Sequence, residues 1–197
     1  MEQGMIALGF AVALGLAMVA VILSDAIRYT IPNWLNGVIL ALYLPAAFLL
    51  PVDVLPALAA AGIVLVLGLG LFALGLMGGG DVKLIFALTL WAGWGQPALQ
   101  FIFMTAVMGG LLVVLVLMLR ALFPPFMTKK DPNRVLPRLL TRKQPVPYGL
   151  AIAAAFLWLL FINAIPMLAT PMLAAAQSTM VPVPEQVTGD SPVLEVR

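Results

Sequence analysis

Cysteine and histidine are both absent from this chain of 197 residues. The first absence excludes disulfides and cysteine-based metal sites. The second removes the usual general base and the commonest metal ligand. Charge is scarce as well: 9% of the residues are charged, where a soluble domain carries about 25%. Hydrophobic residues make up 63%. So short a chain cannot hide that much apolar surface in a water-soluble fold. It reads as an integral membrane protein with no room for a sizeable soluble domain. A basic segment ahead of the first apolar run is also missing. Met1-Glu2-Gln3-Gly4 carries no Lys or Arg, so the first segment reads as a retained span rather than a signal peptide. Acid–base chemistry falls mainly to the eight acidic residues, with Lys or Tyr as weaker candidates.

What is present is a set of apolar stretches, roughly Met5–Leu23, Trp34–Leu50, Ala57–Leu76, Val82–Gly95, Ala98–Leu119 and Gly149–Leu168. Most reach the ~20 residues that a helix needs to cross a bilayer. The pattern predicts an all-α, polytopic bundle of about six transmembrane helices. The fourth stretch is short, rising about 22 Å against about 30 Å of hydrocarbon. That would set Asp81 a few Å below the surface, unless the boundary at Trp94-Gly95-Gln96-Pro97 is misplaced. With six spans, every basic residue except Arg197 falls on one side, the cytoplasmic side by the positive-inside rule. Both termini then face outward. The longest cytoplasmic loop, about 120–147, holds Lys129-Lys130 and a basic run from Arg134 to Lys143. It suits an ordinary positive-inside loop, or a surface that meets anionic lipid or substrate. Residues 1–170 are expected to form the membrane domain and 171–197 a disordered outer tail.

Two carboxylates stand out. Asp25 closes the first apolar segment, and Asp81 closes the run Gly78-Gly79-Gly80-Asp81. A carboxylate at the edge of a bilayer core is costly, which makes each a functional-site candidate. Topology puts both at the cytoplasmic edge, where two carboxylates on different helices can share a proton. Asp25 lies at a helix C-terminus and Asp81 at a helix N-terminus. The dipoles therefore predict an uneven pair, with the negative charge on Asp81 and the proton more often on Asp25. Arg28, one turn beyond Asp25, opposes that assignment. Gly78 and Gly80 let a substrate backbone approach and permit positive φ; a flexible turn between spans is the plainer reading. Asn33 is placed to cap the second helix and Pro147-Tyr148-Gly149 to open the last. Lys83 reads as a snorkelling interface residue, and Asp53 as an outer loop residue.

Asp25-Ala26-Ile27-Arg28-Tyr29-Thr30-Ile31-Pro32-Asn33 resembles the first aspartate motif of the type IV prepilin peptidases. Gly78-Gly79-Gly80-Asp81-Val82-Lys83-Leu84 resembles their second, the G-x-G-D motif, and Pro147-Tyr148-Gly149-Leu150-Ala151 is similar to their P-x-G-x-A segment. The resemblance implies a G-x-G-D-type intramembrane aspartyl protease of the bacterial inner membrane. It implies Asp25 and Asp81 as the catalytic dyad, with Gly78, Gly80, Arg28, Lys83, Pro147 and Gly149 around the substrate. The implied partners are prepilins and pseudopilins, whose short basic leader is cut at the cytoplasmic face, and membrane lipid. No nucleic acid, metal or cofactor is implied. Lacking the paired-cysteine insertion of the long members, the chain looks like the short, peptidase-only kind associated with Flp/Tad pili. The rival readings are a small proton-coupled transporter and a non-catalytic pilus or secretion assembly subunit. Transporters, however, place titratable groups near the midplane and usually repeat their halves, and no repeat is visible.

Overall fold

A computed structural model describes residues 2–122, 146–162 and 164–179. Among them every regular element is an α-helix. The elements are α1 (Glu2–Arg28), α2 (Asn33–Leu49), α3 (Val54–Ala73), α4 (Gly79–Ala92), α5 (Gln96–Leu122), α6 (Tyr148–Phe161) and α7 (Pro166–Thr179). The basic run from Lys129 to Lys143 and the chain beyond 179 lie outside the described residues. Helices α1, α3 and α5, together with the stretch Tyr148–Leu173, are long and apolar enough to cross a membrane. The protein is thus a polytopic helical membrane protein, as its composition predicts.

The last apolar stretch departs from the expected continuous span. Helix α6 stops at Phe161 and α7 begins at Pro166. Proline has no N–H to donate and suits the first position of a helix, so it restarts the helix here rather than continuing it. Helix α7 also runs across position 170, the expected edge of the membrane domain.

Helices α1 to α4 alternate in direction, and α6 starts at the same end as α2 and α4. The end of α1, the starts of α2, α4 and α6, and the turn after α3 surround one cavity. The α2–α3 link, the end of α4 and the start of α7 surround another. Helix α4 is the centre of the bundle and packs on α3, α2, α6 and α5, while α1 packs on α2, α6 and α7. Exposure follows from this arrangement. Every residue of α4 from Leu84 to Ala92 except Phe86 is buried, whereas α3 and α5 turn leucine, valine and phenylalanine side chains outward. Such outward apolar residues suit contact with lipid rather than water.

Packing at the centre is aromatic. Trp91 of α4 meets Tyr43 edge-on at 5.5 Å and Phe10 at 6.0 Å, and its indole N–H donates to the Ile39 carbonyl at 3.1 Å. That one side chain joins α1, α2 and α4. Replacing it should cost about 3–5 kcal/mol, the range for large-to-small core changes. Thermal unfolding in detergent should therefore show Trp91→Ala clearly destabilised, and Leu111→Ala, on the outward face of α5, near wild type.

Candidate active site

Asp25 and Asp81 come together. Both line a cavity of about 560 Å³ at one end of the bundle. Asp25 lies in the last turn of α1 and is only 4% exposed. Its Oδ2 accepts a hydrogen bond from the Leu150 N–H at 3.0 Å, and the carboxylate also accepts from the Gly149 N–H. Both donors belong to the first turn of α6, where no preceding carbonyl is available to take them. A carboxylate from α1 thereby caps α6. Asp81 is the third residue of α4, and its carboxylate turns back to the N–H of Gly78, the N-cap. This is the reach of the acidic residue in a capping box. Asp25 lies near enough for its charge to act on Asp81.

These contacts alter the expected inequality of the pair. The sequence places Asp25 at the negative end of α1, but its carboxylate rests on the positive end of α6. Both carboxylates therefore meet a helix N-terminus, and the dipole argument no longer separates them.

The glycines act through space rather than through φ. Positive φ occurs among them at Gly75, Gly93 and Gly95, not at the G-x-G-D motif. Gly79 and Gly80 already belong to α4 instead of forming a loose turn. A Cβ on Gly78 would sit 2.9 Å from Asp81 Oδ2, and one on Gly80 would sit 3.5 Å from Ile31 Cβ. At Gly149 a Cβ would stand 2.7 Å from Ile31 Cδ1 and 2.9 Å from Asp25 Oδ2. Ile31 is therefore a wedge between the two first turns that carry the carboxylate contacts. The Ile-Pro-Asn string reads from sequence as a helix stop, which hides this packing role.

Other predicted residues land in different places. Asn33 does not cap α2: no side-chain cap bond is made, and its Oδ1 instead accepts from Lys83 Nζ at 3.0 Å. Lys83 thus ties α4 to α2 rather than only snorkelling. One turn deeper, the buried Asn36 turns its amide N–H toward the Gly80 carbonyl at 3.5 Å. Pro147 is the N-cap of α6, while its neighbours Val146 and Tyr148 line the cavity. Arg28 is not brought to the cavity. It is exposed on another face of α1, in a groove with Ser24 and Trp34. Tyr29, which sequence reasoning passed over, ends α1 at φ +56° and lines the cavity. A left-handed non-glycine residue is uncommon, and such strain gathers at functional sites.

Such an arrangement defines a polytopic helical membrane protein with two carboxylates poised over one open cavity. The chain matches the model of the type IV leader peptidase family over residues 11–114 and belongs to that family. The matched segment contains both aspartates. No curated protein and no solved structure matches the chain.

The wedge gives a direct test. Gly149→Ala should lower leader cleavage at least tenfold by pushing α6 off Ile31 and Asp25. Ile31→Val removes the Cδ1 atom nearest the new methyl, so the double variant should recover part of the loss. Initial rates at matched protein levels decide it: equal rates for wild type and Gly149→Ala would show that this contact does not position the site.

Proposed function

We propose that the protein is an aspartic endopeptidase that removes the short basic leader of Flp-type prepilins at the cytoplasmic face of the bacterial inner membrane. Family membership supports a leader peptidase. The observation that carries the aspartic mechanism is the convergence of Asp25 and Asp81 on one cavity from different helices. When the pair holds one proton, the ionised carboxylate takes a proton from the attacking water. The protonated one donates to the carbonyl oxygen of the scissile peptide. The tetrahedral intermediate then collapses, the C–N bond breaks, and the leaving amine receives a proton from the dyad. Such a pair titrates as a coupled unit, so cleavage should be bell-shaped in pH, with its maximum where the dyad holds one proton.

The position of the cavity suits this substrate. It opens among the starts of α2, α4 and α6, so a cleaved bond just ahead of an apolar helix can reach it from the membrane edge. Helix α4 rises only about 21 Å at 1.5 Å per residue. This favours an Asp81 set slightly below the surface, at the level of a membrane-embedded substrate. In this reading the bonded Lys83 positions α4. Gly78, Gly80 and Gly149 provide close backbone approach, Pro147 fixes the entry to α6, and Arg28 serves outside the cavity. Both termini are assigned to the outer side, with residues 1–170 as the peptidase domain.

Cleavage of a tagged prepilin in membranes tests the assignment. Asp25→Asn and Asp81→Asn should each reduce processing by at least a hundredfold while the protein remains folded. Processing by both variants at the wild-type rate would overturn the two-aspartate mechanism.

A further inference from the structure

Among the described residues, the ring of helices around α4 is not closed. Helix α4 packs on α3 and on α2, yet no extended packing joins α2 to α3, or α3 to α5. The two openings differ in what they reach. The active-site cavity is lined by the start of α2 and by the turn that follows α3, and by no residue of α5. Among the described residues it is therefore the opening between α2 and α3, not the one between α3 and α5, that borders the cavity of the two aspartates.

The face of α2 bordering this opening can be followed from the cavity. Asn33 lines the cavity and holds Lys83 of α4. At 3.6 residues per turn, Gly37, Leu40 and Leu44 continue the row from Asn33 toward the outer side. This row adjoins the Asn36 side that meets α4 and lies away from Trp34 and Leu35, which share a groove with α1. Leu44 is 63% exposed, and a Cβ on Gly37 would find nothing within 4 Å. The row is apolar below Asn33, and the missing side chain at Gly37 permits close helix approach, as small residues do at membrane helix interfaces.

We propose that the opening between α2 and α3 is the docking groove for the apolar helix of the substrate. The occupant is a single membrane helix preceded by a short basic leader, lying along Gly37, Leu40 and Leu44 with its first turn at the cavity. This inference rests on the peptidase reading above. Continuity decides the occupant: a helix whose N-terminal peptide bond must sit at Asp25 and Asp81 has to leave the cavity sideways. The α2–α3 opening is the exit that the cavity itself borders.

Photo-crosslinking tests the groove with a tagged prepilin-type chain, a basic leader joined to an apolar helix, as the probe. A photoreactive phenylalanine at Leu44 in Asp81→Asn protein should capture the uncleaved probe at least fivefold more than the same group at Leu111 on α5. In otherwise wild-type protein, Gly37→Leu should raise KM for the probe at least fivefold. It should leave cleavage of a soluble peptide without the helix unchanged. The space around Gly37 lets the variant fold. If wild type cuts the probe but Leu44 captures no more than Leu111 and Gly37→Leu leaves KM unchanged, the groove is filled by lipid alone. The docking proposal then fails while the peptidase reading stands. If wild type leaves both the probe and the peptide uncut, the peptidase reading fails, and the docking proposal falls with it.

Discussion

A carboxylate withdrawn from water must find donors, and at Asp25 that requirement organises the site. Unpaired burial of a polar group is costly, and more so for a charge. The donors are the first backbone N–H groups of α6, which themselves lack helical partners. One contact satisfies both needs and fixes the start of the last apolar stretch to the end of the first. The rest follows sterically. A side chain at residue 149 would have to displace Ile31 and the carboxylate, which occupy that space. Ile31 then sets how closely α6 can approach α4, where Gly80 receives its other side.

The same economy serves Asp81. Its carboxylate satisfies its own helix end through Gly78, while α2 holds that helix in place through Asn33 and Lys83. Two helix starts and one helix end therefore hold the carboxylates from three directions over one cavity. Helices α4 and α6 bring their N-termini to the site as each spans only 14 residues, about 21 Å. The longer α1, α3 and α5 provide most of the lipid-facing surface. The result is a division between a short, buried centre and a long, apolar rim.

Much of this was legible before the fold was known. Hydropathy located the spans, because bilayer thickness demands long apolar runs. Charge asymmetry then put Asp25 and Asp81 at one depth. What escaped was tertiary. No local pattern says that the N–H of Leu150 will answer a carboxylate from α1, so the pair looked more unequal than its contacts make it. Asn33 had the residue type and position of a cap, yet Lys83 of α4 competes for its side-chain oxygen. The apolar content of 149–168 concealed the stop at Phe161, since hydropathy is blind to backbone hydrogen bonding. Pro166 was the signal that could have revealed it.

The carboxylates of Asp25 and Asp81 line one cavity, while Arg28 lies in a groove on another face of α1. The absence of native cysteine makes this measurable without background. Paired cysteines replace Asp25 and Asp81, or Arg28 and Asp81, and a short bifunctional thiol reagent is applied in native membranes before mass spectrometry. The expected result is efficient intramolecular linkage for the first pair and little for the second, with all single cysteines labelled. Linkage of the Arg28→Cys/Asp81→Cys pair in preference to the Asp25→Cys/Asp81→Cys pair would contradict it.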